Sequence, residues 1–152
     1  MKLQDAEKLA KNLMDGFGLS SIPLKFSNKI RKLGGCAFAK REGKWIPIYI
    51  ELSKHVVLLN CKKTIKNILL HEIAHIIAGR VHYHDEIWKE CAKYVGANPS
   101  YATRNVRMAE GRWKGVCTAC GKVYQRYRKT KSINDVFLCR CKKGKFKFKE
   151  IK

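Results

Sequence analysis

Leu3, Ala6, Leu9, Ala10, Leu13, Met14 and Phe17 recur at three- and four-residue intervals, which predicts an amphipathic helix over residues 3–17 ended near Gly16 or Gly18. After Pro23 the period shortens to two. Leu24-Lys25-Phe26-Ser27 alternates like a strand, and residues 33–39 and 45–52 read as two more, joined by a turn at Arg41-Glu42-Gly43-Lys44. Pro47 has no N–H to give to a ladder, so it predicts an edge position for the last of these strands, or a place among its first residues. Residues 53–59 suit a short helix. Helical spacing then returns with Ile65, Ile68, Leu69, Ile73, Ile76 and Ile77, for which Thr64 is the expected N-cap and Gly79 the stop. Ile87, Cys91, Tyr94 and Val95, with Trp88 beside them, predict another helix starting near Asp85. Residues 98–112 read as a connector open to helix formation that adds Arg104, Arg107 and Arg112 to the basic surface. Residues 123–128 and 136–138 alternate again, as strands of a small ribbon do. The whole pattern is α+β: a small antiparallel or mixed sheet packed on helices over residues 1–110, then a short β module over residues 111–152.

Within the third predicted helix lies His71-Glu72-Ile73-Ala74-His75. Residues i and i+4 share a helix face one turn apart, so His71 and His75 can offer their imidazoles to one cation. Glu72 can then reach a water at that cation without being a ligand, which is the arrangement metal-assisted hydrolysis needs. The neighbouring positions are nearly all apolar, and a core helix has little use for His, Glu and His together. A catalytic zinc takes three protein ligands and keeps one position open. His82, His84, Asp85 and Glu86 all lie close enough in sequence to supply the third, and spacing alone does not choose among them. His55 has no partner in sequence and reads as an ordinary histidine, and Tyr83 is a candidate oxyanion donor by proximity alone. A sheet ahead of such a helix has a use, because an exposed edge can pair with a substrate backbone.

Charge changes the picture. The formal net charge is +21, from 33 Lys and Arg against 12 Asp and Glu, more lopsided than solubility requires. It implies a polyanionic partner, with nucleic acid ahead of an anionic membrane surface. Residues 111–152 hold 14 basic and 2 acidic side chains. Charges interrupt any apolar run at the N-terminus and no stretch is long enough to cross a membrane, so an intracellular protein is expected; a monomer is expected as well. Thiols stay reduced there, and the seven cysteines read as metal ligands or core residues rather than disulfides.

The chain shows Leu33-Gly34-Gly35-Cys36, Ile50-Glu51-Leu52-Ser53, Leu70-His71-Glu72-Ile73-Ala74-His75 and His84-Asp85-Glu86-Ile87-Trp88. In that combination and order it resembles the SprT-like family of zinc metalloproteases, over most of residues 1–145. The resemblance implies a zincin-like fold, with His71, His75 and His84 as ligands of a catalytic zinc and Glu72 as general base. It also implies DNA-dependent or DNA-recruited cleavage of proteins bound to or crosslinked on DNA. The family commonly places a carboxylate directly before the aromatic residue; here Ile87 stands there and Glu86 comes one earlier.

Cys117-Thr118-Ala119-Cys120-Gly121 has the form of a zinc knuckle, with a glycine free to turn left-handed after the second thiolate. Cys139 and Cys141 can complete a tetrahedral structural site, and a module this short and charged needs such a staple. Arg112, Lys122, Arg126, Arg128, Lys129, Lys131, Arg140, Lys142 and Lys143 are interleaved with Tyr124, Tyr127, Phe146 and Phe148. Aromatics among cations suit single-stranded or distorted duplex DNA, where bases stack as phosphates pair. The rival from another class is a non-catalytic nucleic-acid-binding protein with two structural zinc sites; Glu72 argues against it, since a structural site has no need of that carboxylate.

Overall fold

The computed structural model describes residues 1–98 and 106–151, so the part of the connector that carries Arg104 lies outside the described residues. The chain divides into two compact units, Met1–Ala109 and Glu110–Lys152.

The first unit opens with α1 (Leu3–Gly16), which buries Ala6, Ala10 and Met14 along one stripe. Strands β1 (Leu24–Ser27), β2 (Gly34–Arg41) and β3 (Lys44–Ser53) form a mixed sheet in the order β1-β3-β2, with β1 parallel and β2 antiparallel to β3. Three helices follow: α2 (Lys54–Leu59), α3 (Lys62–Ala78) and α4 (Glu86–Tyr94). Ile50 and Leu52 of β3, Val56 and Val57 of α2, and Ile65, Leu69 and Ile73 of α3 are fully buried together. Each such side chain contributes about 1.5–3 kcal/mol relative to exposure.

One expectation holds in its second form and one changes. β3 is the central strand and not an edge, but Pro47 falls among its first residues, and β1 pairs only with Ile50–Ser53, so at Pro47 the strand has β2 on one side alone. The missing N–H therefore faces no ladder, and the β2 register slips opposite it, between Ala37 and Phe38. Helix α3 is capped by Cys61 and not by Thr64, which is buried in the first turn with its hydroxyl 3.5 Å from the Cys61 Sγ. Lys62 and Lys63 are good helix formers and extend the helix back by that much. The stop falls at Gly79, at φ +91°.

In the second unit, β4 (Trp113–Val116) pairs antiparallel with β5 (Val123–Arg126) and β8 (Lys149–Glu150), while β6 (Phe137–Leu138) pairs with β7 (Lys145–Phe146). The two predicted ribbon strands thus belong to different sheets. Their partners, Trp-Lys-Gly-Val and Lys-Phe, are too short and charged to announce themselves by periodicity. The small core holds Cys117, Ile133, Cys139, Phe146 and Phe148.

Glu51 is a charged residue buried in β3, where the Lys29 ammonium donates to both carboxylate oxygens at 3.0 Å and Lys32 lies 3.7 Å away. Burial opposes its ionisation, but the Lys29 hydrogen bonds and the Lys32 charge outweigh it and hold the carboxyl below the ordinary range. A depressed folded-state pKa contributes stability above the unfolded value that is lost as pH falls through the folded one. Glu51→Gln is therefore expected to lower stability at pH 7 by about 0.5–1 kcal/mol, since Lys29 is exposed and screened. In denaturant titrations the difference from wild type should close as pH drops below the carboxylate range; a gap that persists there would refute the assignment.

Candidate metal centre

His71 and His75 stand one turn apart on α3, half-buried, with Glu72 buried beside them. His84 comes from the turn between α3 and α4 with φ +59°, a left-handed backbone costing a residue with a Cβ about 1 kcal/mol or more. Asp85 locks that turn by accepting from the Trp88 backbone N–H at 2.9 Å, capping α4. The three Nε2 atoms converge: 3.2 Å between His71 and His75, 3.1 Å between His75 and His84, and 3.1 Å between His84 and His71. The buried Trp88 ring packs against all three imidazoles, with centroids 4.8, 5.1 and 4.3 Å from His71, His75 and His84.

Three imidazole nitrogens this close cannot satisfy one another. Each Nε2 either donates or accepts, so any triangle leaves at least one pair in like roles. A cation among them removes the conflict. Nitrogens about 2.0–2.1 Å from one tetrahedral zinc lie about 3.3 Å apart, close to the spacing found. Burial, then the neighbouring His75 and His84 charges, press His71 down to about 4, and burial and His84 do the same to His75. Both are thus neutral near pH 7, the ligand form. This donor set could bind a metal and is compatible with zinc.

The other candidates for a third ligand are engaged elsewhere. The His82 Nδ1 lies 2.7 Å from the Asp85 carboxylate, and Glu86 accepts from Lys89 at 2.6 Å. Glu72 has its carboxyl pushed up to about 7 by burial, against the lowering effects of Lys32 and of a hydrogen bond from the Cys36 backbone N–H. Strand β2 can come this near because position 34 is glycine. A Cβ there would stand 3.0 Å from Ile68 Cγ2, 3.1 Å from the Glu51 carbonyl oxygen and 3.3 Å from Glu72 Oε1. The motif Gly34-Gly35-Cys36 is visible in sequence; its role as the cradle of Glu72 needs the packing of β2 against α3. Trp88 is visible in sequence as the aromatic of the His84 motif, whereas Arg80 escapes sequence reasoning as part of the site, since its residue type does not signal it.

A cleft of about 350 Å³ is bordered by the β2 edge at Gly34, Cys36 and Phe38, by Glu72, His75 and His84, and by Arg80 and Tyr83. A recess of about 290 Å³, floored by Leu33, Ile68 and Val106 and rimmed by Arg31 and Lys32, shares Gly34 and Glu72 with it.

In Glu110–Lys152, Cys117, Cys120, Cys139 and Cys141 bring their Sγ atoms together, 3.8 Å between Cys117 and Cys141 and 3.7 Å between Cys120 and Cys139. Four thiolates at about 2.3 Å from one tetrahedral zinc would be about 3.8 Å apart. Gly121 takes the left-handed φ of +67° after the second thiolate. The Cys141 backbone N–H, then the Tyr124 hydroxyl at 3.1 Å, draw the Cys139 thiol down to about 6. Tyr124 is stacked flat on Phe146 with centroids 4.1 Å apart, while Phe146 and Phe148 are buried, which corrects their reading as platforms for bases. Arg126 lies over Phe137 and Phe148. Arg112, Lys122, Arg128, Lys129, Lys131, Arg140, Lys142 and Lys143 are exposed. Arg112 is ion-paired to Glu150, and with Tyr127, Arg128 and Lys129 it borders a recess of about 410 Å³.

A mixed α+β unit with three clustered histidines on and after one helix, followed by a small module built on four convergent cysteines, is the class of protein that fold and site define. The chain belongs to the SprT-like family, whose pattern matches residues 3–110. A relative from Oceanobacillus iheyensis, "Protein SprT-like", is 30% identical over 130 residues, spanning 83% of this chain and 80% of its own. No solved structure matches the chain at a significant level. Among the described residues, no helix is long and apolar enough to cross a membrane.

Cys117→Ser is expected to remove one equivalent of metal and to unfold Glu110–Lys152, leaving the metal on the histidines in place. Metal analysis alongside resolved backbone NMR signals checks this; an undiminished metal count would contradict the four-cysteine assignment.

Proposed function

We propose that this protein is a zinc metallopeptidase that acts on proteins bound to or crosslinked on DNA and is recruited or activated by that DNA. The observation that carries the reading is the convergence of His71, His75 and His84 to within 3.2 Å, with Glu72 on the wall of the same cleft. A zinc ion held by these imidazoles would supply Lewis acidity to water and to the scissile carbonyl. Glu72, steadied by the Cys36 N–H and held over Gly34, takes the proton of the attacking water and passes it to the leaving amine. His84 is exposed, so the cluster opens toward solvent and substrate. The β2 edge offers its backbone to an extended peptide across the cleft, which aligns any sequence without reading side chains. A second zinc at Cys117, Cys120, Cys139 and Cys141 staples the basic unit, in which residues 111–152 carry 14 Lys and Arg against 2 acidic residues and suit a nucleic-acid backbone. Tethering on DNA then raises the effective concentration of the protein substrate.

In a cleavage assay on a basic DNA-binding protein, wild type is expected to cut faster with single-stranded DNA than without it. Glu72→Gln should lose at least about a thousandfold in kcat while retaining both metals and DNA affinity. Equal cleavage by wild type and variant would remove the peptidase reading, leaving a nucleic-acid-binding protein with two structural metals.

A further inference from the structure

The catalytic unit carries a cationic, aromatic patch of its own at the tip of the β2–β3 hairpin. Glu42 and Gly43 both have positive φ, +49° and +81°, the signature of a tight two-residue turn that fixes the strands on either side. Across that turn Arg41 pairs in register with Lys44, and Lys40 with Trp45. Trp45 is 46% exposed, although an indole is among the costliest side chains to leave in water. It is held in place by Arg80, whose guanidinium carbon lies 5.5 Å from the Trp45 ring centroid and 5.0 Å from that of Tyr83, itself 66% exposed. Among the described residues, none of the ion pairs engages Lys40, Arg41 or Lys44. Lys40 and Trp45 share one face of the hairpin and Arg41 and Lys44 the other at its tip, Arg80 and Tyr83 join Trp45 from the segment after α3, and Glu42 is the sole acid in the turn.

We propose that this tip, Lys40, Arg41, Lys44 and Trp45 with Arg80 and Tyr83, is a binding site for single-stranded nucleic acid, separate from the basic four-cysteine unit. The lysines and Arg41 pair with phosphates, and unstacked bases lie on Trp45 and Tyr83. A duplex keeps its bases stacked inside and would leave both rings without a partner, and an acidic peptide would use the cations alone. Because Arg80 and Tyr83 also border the cleft that contains His75 and His84, a strand seated here lies at one end of that cleft. The inference deepens the reading of the chain as a protease working on DNA, by giving the catalytic unit a direct contact with the strand.

Trp88 is buried, so in the whole chain carrying Trp113→Phe and Glu72→Gln the exposed indole is Trp45. Titration with oligo(dT) is expected to quench its emission in step with the anisotropy of the labelled strand, and a matched duplex is expected to leave emission unchanged. Replacing Lys40, Arg41 and Lys44 together by Gln should weaken oligo(dT) binding about tenfold at low salt and reduce the slope of log affinity against log salt by about 2. Oligo(rU) in parallel distinguishes DNA from RNA as the preferred strand. Unchanged Trp45 emission at saturating oligo(dT), equal quenching by duplex, or unaltered affinity in the triple variant would each overturn the site. The readout does not depend on cleavage, so an inactive wild-type enzyme with a quenched Trp45 would sink the protease reading and leave this site standing.

Discussion

Helix α3 buries more than half of its residues, and that constraint sets the rest. Ile65, Leu69 and Ile73 lock it into the core, so its axis and rotation cannot vary without opening cavities. His71 and His75 occupy the stripe left over, half-sunk among apolar neighbours. Their surroundings strip water from the imidazoles and keep them uncharged, and the Trp88 indole fixes their planes. The three-histidine cluster is therefore preorganised by packing, which is what precise coordination of a metal on a small scaffold would require.

The elements around α3 meet it where chemistry and sterics coincide. Gly34 lets the sheet touch the helix at Glu72, and Cys36 offers its N–H at the same place. On the other side, the cost of the left-handed His84 is offset by the cap that Asp85 gives Trp88 and by the His82–Asp85 pair. One short segment thus turns the chain, starts α4, delivers an imidazole and sets the aromatic wall behind it. Strain of this kind is tolerated where several contacts overdetermine the backbone.

The second unit solves a different problem. With five buried hydrophobic residues, two of them cysteines, it has too little core to hold its own cationic shell together. Four convergent thiols supply the missing stability if a metal closes them, and its aromatics are then spent on the interior, Tyr124 and Phe146 stacked and Arg126 laid over Phe137 and Phe148. In Met1–Ala109, by contrast, the Trp45 and Tyr83 rings are left exposed.

What the sequence by itself determined is what short-range geometry dictates. The i, i+4 spacing of His71 and His75, the bracketing of a turn by Cys117 and Cys120, the start of α4 at Asp85 and the break at Gly79 follow from backbone periodicity and φ preferences, which act over a few residues. Spacing leaves His82 and His84 open and only the family resemblance points to His84; the tertiary structure brings His84 to the cluster, since both lie in one turn and long-range docking aims one of them at α3. It also decided that Pro47 sits on the half of a central strand without a second neighbour, and that Phe146 and Phe148 face inward. Register and burial are properties of chain segments distant in sequence, and no local pattern encodes them.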